Sequence, residues 1–199
     1  MTRQLTDLEL LAKYWISKYA SVIKQEPDMD HPPLIAVVGA EADAMGTADM
    51  FGDTEYDNMA FLAGYLGYPC DAAYVATVWE SPGLVIEHPD GPVAEIGRTV
   101  LSWAHCIPTR ETKVLALVWR DGWWDPYDLT AQYTGGNSEF TAIEYAAHDF
   151  EKFPPHPDDQ RQRAVARDVV RRDNGTGFQA EVLQPGSLMA RARNWTGVL

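Results

Sequence analysis

The sequence predicts an α+β domain with a largely antiparallel central sheet of five or more strands and flanking helices. Three observations predict this class. The first is a hairpin signal between Lys113 and Tyr133. The second is the order of predicted elements, which runs helix, two strands, helix and then at least three strands. The third is a chain of 199 residues, 46% of them hydrophobic, which is long enough to bury such a core.

The hairpin has a turn at Asp121-Gly122, where glycine supplies the positive φ that a tight turn needs. The run Val114–Trp119 before it contains no polar residue. An unbroken apolar run is typical of a strand that is covered on both faces. The rest of the chain is therefore expected to pack around this strand, with the strand Ala72–Glu80 as its neighbour.

The first helix is predicted from a capping box at Thr6 and Glu9, in which each residue's side chain pairs with the other's backbone amide. Apolar residues then recur at spacings of three and four, which places them on one face. They are Leu8, Leu11, Trp15, Tyr19 and Val22. Pro27 ends the helix. The apolar face is expected to cover the sheet.

Local patterns predict the other elements of the body. Strands are predicted at Leu34–Val38, Ala44–Phe51 and Ala72–Glu80, and another within Gly97–Pro108. A helix is predicted from Glu55 to Leu66, closed by Gly67. Phe140–Phe153 also has roughly helical spacing.

The proline-rich stretch Pro154–Pro157 is stiff and predicts a boundary. It divides the chain into an acidic α+β body, residues 1–153, and a C-terminal part, residues 154–199. The C-terminal part is predicted to contain an Arg-rich helix from Asp158 to Arg172, followed by an irregular tail. We expect it to pack on the body or on a partner.

The formal net charge of −13 is unevenly distributed. Residues 1–157 hold 9 of the 16 Lys and Arg and 24 of the 29 Asp and Glu, while residues 158–199 hold 7 Arg and 5 acids. An acidic surface repels phosphate backbones, so nucleic-acid binding by the body is disfavoured. Contact with nucleic acid stays open for the tail.

Arginines concentrate in the predicted C-terminal helix. They are Arg161, Arg163, Arg167, Arg171 and Arg172. Such a set can contact nucleic acid, contact an acidic protein partner, or hold the helix against the chain's own acidic body. The last interpretation is favoured because the body carries ample negative charge.

The connection between the strands at Ala72 and Val114 is about thirty residues long, and connections of this length often carry a site or form a protruding hairpin. Its titratable groups make it the first candidate for a catalytic site. They are Glu80, Glu87, His88, Asp90 and Glu95, joined by Asp121 of the hairpin turn. A metal hydrolase needs two or three such groups on one ion. The sequence shows residue types without convergence, so no metal site is assigned.

The local motifs of several functional classes are missing. No GxGxxG, P-loop, GxSxG, HExxH, zinc-finger or EF-hand pattern is present, and no cofactor is predicted. His105 beside Cys106 suggests a thiol–imidazole pair, but neighbours on a strand point to opposite faces. His148 is interpreted as a structural residue.

Cysteine usage and hydropathy indicate the compartment. Cys70 and Cys106 lie far apart without a CxxC pattern, so reduced thiols are expected. No run of about 18 apolar residues and no apolar signal core is present. A cytoplasmic protein without membrane contact is expected.

The element order resembles roadblock or profilin-like scaffolds, a resemblance of fold alone. The segment from Leu34 through Trp79-Glu80 to Val114, with Arg120-Asp121-Gly122, is similar to small uncharacterised α/β proteins of bacteriophages and their hosts. Since those proteins have no agreed activity, the resemblance implies a phage or prophage setting, hence the host cytoplasm, and transfers no functional residue.

The function expected is that of a non-enzymatic interaction or structural protein, with a protein partner or self-association. Seven tryptophans and nine tyrosines are present, and aromatic residues are enriched at interface hot spots. The candidate interaction residues are Trp119, Trp123 and Trp124 with Arg161, Arg163, Arg167 and Arg171. One alternative is a metal- or carboxylate-dependent hydrolase with its site in the 80–95 loop. Another is nucleic-acid contact through the Arg-rich helix.

Overall fold

The computed structural model describes residues 4–48, 55–81, 85–88, 91–94, 98–133, 140–149, 157–172 and 178–197. Its centre is a seven-stranded antiparallel sheet, which confirms the predicted α+β class. The strands are β1 (Leu34–Gly39), β2 (Asp43–Ala48), β3 (Ala72–Ser81), β4 (Val85–His88), β5 (Gly91–Ala94), β6 (Thr99–Cys106), β7 (Thr112–Arg120), β8 (Trp123–Asp128) and β9 (Phe178–Leu183). Their spatial order is β8-β7-β6-β3-β1-β2-β9, and β4 and β5 form a separate hairpin.

The described residues form six helices, which flank the sheet on both faces. They are α1 (Asp7–Gln25), α2 (Glu55–Cys70), α3 (Thr130–Tyr133), α4 (Thr141–His148), α5 (Asp159–Arg172) and α6 (Ser187–Arg193). We call the face covered by α1 and α6 the α1 face, and the face covered by α2, α4 and α5 the α2 face. Among the described helices, none combines the length and apolar character needed to cross a membrane.

The predicted pairing of β3 with β7 is wrong, because β6 lies between them. Trp103 of β6 faces Thr77 on β3 and Val114 on β7. Every residue of β6 is buried. A strand that is buried on both faces belongs inside a sheet rather than at its edge, which accounts for its central place.

The predicted start of α1 is confirmed. The Glu9 amide donates to Thr6 Oγ1 at 3.2 Å, and the Thr6 amide donates to Glu9 Oε2 at 2.9 Å. The predicted apolar face differs at its end, since Val22 is 38% exposed and Ile23 is buried instead. Positions 15, 19 and 23 follow one four-residue row of the helix, which carries the buried face past Val22.

The hairpin between β7 and β8 is confirmed. Asp121 and Gly122 both have positive φ, 48° and 97°, as the two central residues of a type I′ turn require. Residues 114–118 of β7 are buried, so this strand is covered on both faces as predicted.

The predicted end of α2 at Gly67 is wrong, since the helix runs to Cys70 and includes Pro69. The carbonyl oxygens of Tyr68 and Pro69 accept hydrogen bonds from Arg163 and Arg167 of α5. Carbonyls of a last turn lack helical partners. Hydrogen bonds from α5 therefore supply partners for the last carbonyls of α2. They outweigh the tendency of Gly67 to end the helix.

The C-terminal tail is more regular than predicted. β9 pairs with β2 along its whole length, from Asp43 opposite Leu183 to Ala48 opposite Phe178. α6 packs on α1, and Arg193 contacts the Asp7 carboxylate at 2.9 Å. The last strand of the sheet thus comes from the C-terminal part, and the tail is integral to the fold.

Candidate functional site

A groove lined by four tryptophans lies between α1 and the β7–β8 hairpin. Its volume is about 600 Å³. The tryptophans are Trp119, Trp123, Trp124 and Trp195. We call this surface the tryptophan groove. It contains all three tryptophans that the sequence singles out, and Trp195 of the C-terminal tail in addition.

The hairpin forms the aromatic wall of the groove. Trp119 and Trp124 are cross-strand partners, with ring centroids 5.0 Å apart and planes at 69°. Edge-to-face pairs of this kind hold each other in place. Trp123 follows the turn, and 66% of its surface is exposed. The wall therefore combines a fixed aromatic pair with one ring that solvent, or a ligand, can reach.

The opposite wall is formed by α1 and by residues near the end of the described chain. α1 contributes Ser17, Ser21 and Lys24. Trp195 stands edge-on against Tyr14, with centroids 5.5 Å apart. Since Tyr14 is buried, this contact ties the end of the described chain to α1.

The polar groups of the groove are few. Within the described residues, the indole Nε1 of Trp124 is buried without an acceptor in hydrogen-bond range. Lys24 and Asp125 put one charge of each sign on the walls. Arg120 lies 4.0 Å from Asp125. The groove itself is close to neutral, so the charge a ligand meets at long range is set by the acidic chain as a whole.

A second groove of about 540 Å³ lies on the other side of α1, above β1, β2 and β9. Its only tryptophan among the described lining residues is Trp15, which is 1% exposed. It offers backbone and aliphatic surface instead of exposed aromatic rings. The tryptophan groove is therefore the stronger candidate for an interaction site.

The candidate residues of the 80–95 segment form no cluster in the described part of the chain. Glu80 is ion-paired with Arg98, which also donates to the Pro27 carbonyl at 2.6 Å. Glu87 and His88 lie on β4, of which only the backbone is described. Asp90 and Glu95 lie outside the described residues. Asp121 is exposed in the β7–β8 turn.

Two of the α5 arginines hold that helix against the body. Arg163 contacts Asp159 at 2.6 Å and Asp71 at 3.4 Å, and it lies 4.7 Å from the Tyr68 ring centroid. The Arg167 side chain is 14% exposed and donates to the Pro69 carbonyl at 2.6 Å. Arg161, Arg171 and Arg172 are exposed.

One cluster of possible metal ligands was not predicted from the sequence. His105, Glu144 and His148 each offer a ligand atom, and these atoms lie within 4.8 Å of one another. The signal available was the i, i+4 spacing of Glu144 and His148, which puts both on one helix face. Nothing in the sequence places β6 opposite that face, so His105 could not be added.

The expectation that His105 and Cys106 point apart is confirmed. His105 stacks on Trp103 of the α2 face, whereas Cys106 packs in the core of the α1 face. Both cysteines are free, and both are buried.

Comparisons of the chain with protein-family models, with curated proteins and with solved structures give no match in any of the three.

Proposed function

We propose that this chain is a non-enzymatic interaction protein that binds an extended, proline-containing and positively charged segment of a protein partner in the tryptophan groove. The observation that carries the proposal is the lining of one groove by four tryptophans, one of them 66% exposed. Large exposed aromatic residues are the side chains most enriched in hot spots of binding energy.

An extended proline-containing segment suits this groove for two reasons. Grooves with aromatic walls recognise polyproline II segments, whose rings pack between flat aromatic faces. Such a segment is also stiff before binding, so it loses little conformational entropy on docking. The Trp119 and Trp124 rings, whose planes meet at 69°, supply two such faces.

A positive charge on the segment follows from the charge of the chain. The formal net charge of −13 attracts a basic partner and accelerates its association. A Lys or Arg side chain also interacts favourably with the face of a tryptophan ring such as Trp123. Asp125 on the groove wall offers a carboxylate for the same cation.

Defined peptides test this proposal. A decaproline flanked by arginines is titrated into the protein by calorimetry, beside a decaproline flanked by glutamates. The arginine peptide is expected to bind with a Kd on the order of 100 μM, because a groove of this size is well below a standard interface. Absence of any preference for the arginine peptide, or of any binding, contradicts the proposal.

Variants locate the binding on the molecule. Trp123→Ala is expected to weaken binding of the arginine peptide by about tenfold or more, as truncation of a hot-spot aromatic does. Tyr145→Ala is the matched control, because Tyr145 is 69% exposed on α4 of the opposite sheet face. Equal binding by both variants contradicts the assignment to the groove.

The alternative occupant of the groove is a second copy of this chain. Light scattering coupled to size exclusion separates the two cases. If the protein is a dimer and Trp123→Ala dissociates it, the groove binds a second copy of this chain and not a partner segment. We propose a cytoplasmic location and a phage or prophage setting for this interaction, on the sequence alone.

A further inference from the structure

We infer that His105, Glu144 and His148 form a binding site for one Zn²⁺ ion on the α2 face of the sheet. Their ligand atoms lie within 4.8 Å of one another, and they are the only such group of His, Cys, Asp and Glu among the described residues. The inference is independent of the tryptophan groove, which lies on the α1 face.

The two histidines are already placed as ligands. His105 is fully buried on β6, and His148, at the end of α4, is 7% exposed. Their Nε2 atoms lie 2.8 Å apart. At that distance one nitrogen donates a proton and the other accepts it. A metal ion can take the place of this proton and bind both lone pairs when the proton moves to Nδ1 of its own ring, which leaves both imidazoles neutral.

A small movement suffices to admit the ion. Zinc–nitrogen bonds of about 2.0–2.1 Å in tetrahedral geometry put two nitrogens about 3.3 Å apart. The rings must therefore separate by about 0.5 Å. His148 is the last residue of α4, so its side chain can shift without moving the sheet.

Glu144 completes the set of three ligands. It stands four residues before His148, so both side chains lie on one face of α4. It is only partly buried, which gives the ion a way in from solvent. Two imidazoles and one carboxylate are a known ligand set of zinc, with a fourth position left for an outside ligand. Neutral imidazoles and one carboxylate also offset half of the ion's charge.

Thr112 positions His105. Its Oγ1 lies 2.9 Å from His105 Nδ1, across the pair of strands β6 and β7. When the hydroxyl accepts the Nδ1 proton, the Nε2 lone pair faces His148 and is available to a metal. Trp103 stacks on the imidazole, with centroids 5.3 Å apart and planes at 5°, which fixes the ring plane. A contact to the second ring nitrogen is typical of histidines that bind metals.

Calorimetry with ZnCl₂ and metal-free protein tests the site. One Zn²⁺ per chain is expected, and Co²⁺ in its place is expected to give the intense visible bands of a tetrahedral site. Binding below one tenth of an equivalent would overturn the inference, and so would Co²⁺ spectra of an octahedral, water-like complex.

Variants assign the ligands. Glu144→Gln and His148→Gln are each expected to weaken Zn²⁺ binding at least tenfold, and Thr112→Val about tenfold, with recovery in Thr112→Ser. His31→Gln, outside the cluster, is the control for adventitious binding and should match the parent. Circular dichroism verifies that each variant is folded. Parent-like affinity of both Glu144→Gln and His148→Gln would show a histidine hydrogen bond without a metal function.

Discussion

The carboxylate of Asp43 accepts a hydrogen bond from the backbone amide of Leu188 at 2.7 Å, between residues that are 145 positions apart in the chain. Asp43 is fully buried, and its other oxygen lies 3.3 Å from the Gly39 amide. Leu188 is in the first turn of α6, where backbone amides lack helical partners. A buried carboxylate of β2 therefore caps the last helix and fixes the C-terminal tail to the body.

Replacement of this carboxylate should lower stability. Asp43→Ala leaves the Leu188 amide buried without its acceptor, and we expect the free energy of unfolding to fall by about 2–3 kcal/mol. Urea denaturation measures the change. Asp30→Ala, at an exposed acid, is the control and should stay within about 0.5 kcal/mol of the parent. Equal losses in the two variants would contradict the capping role.

The Cys70 thiol should be unreactive in the folded protein. Burial raises the pKa of Cys70 to about 12, against the opposing effect of the Arg167 guanidinium. Since the thiolate is the reactive form, the protonated thiol resists disulfide reagents at pH 8. We expect Ellman's reagent to label folded Cys106→Ser protein very slowly and to titrate one thiol after unfolding in urea. Fast labelling of the folded variant would contradict the burial of Cys70.

The ion pair between Asp128 and Lys113 should stabilise the protein at neutral pH and lose this effect when Asp128 is protonated at acidic pH. Partial burial would raise the pKa of Asp128, but hydrogen bonds from Lys113 and Thr130 outweigh it and hold the pKa below its usual value. The Lys113 Nζ lies 2.5 Å from the carboxylate. A lowered folded-state pKa means that stability is present above the unfolded pKa and is lost as pH falls through the folded value.

Asp128→Asn tests this dependence. The Asp128 side chain is 54% exposed, so after discounting for solvent screening we expect a loss below about 1 kcal/mol at pH 7. The difference from the parent should disappear as the pH falls below the Asp128 pKa. Urea midpoints measured from pH 7 to pH 2 show it. A difference that grows towards low pH would contradict the sign.

The sequence predicts those elements whose signals are local. The capping box at Thr6 and the positive-φ turn at Asp121 depend on residues a few positions apart, so both are confirmed. The end of α2 depends on Arg163 and Arg167, about 95 positions away, and there the prediction is wrong. The position of β6 between β3 and β7 likewise depends on pairing between residues that are distant in the sequence.

The candidate sites follow the same rule. The tryptophans at positions 119, 123 and 124 are neighbours in a hairpin, so the sequence brings them together, while Trp195 reaches the groove only through the packing of the tail. His105 and His148 are 43 positions apart and lie on different elements. Their approach depends on α4 packing over β6, which no local pattern predicts.

Arg167 and Arg171 of α5 should differ in what they do. Arg167 donates to the Pro69 carbonyl at 2.6 Å and lies 3.7 Å from a Glu41 carboxylate oxygen, with a side chain only 14% exposed. The Arg171 side chain is 51% exposed, and within the described residues its ion pair is with Asp168, one turn away. Arg167 holds α5 on the body, whereas Arg171 is available to solvent.

Charge reversal separates these two roles. Arg167→Glu places a carboxylate against Glu41 and a backbone carbonyl, so we expect about 2–4 kcal/mol of lost stability in urea denaturation. Arg171→Glu should change stability by less than about 0.5 kcal/mol. Nucleic-acid contact through α5 must therefore be tested at Arg171, since a loss of retention in Arg167→Glu would report unfolding. Unchanged retention of DNA and RNA by folded Arg171→Glu, and by Arg161→Glu, would end that alternative and leave α5 as a packing element whose arginines neutralise the acidic body.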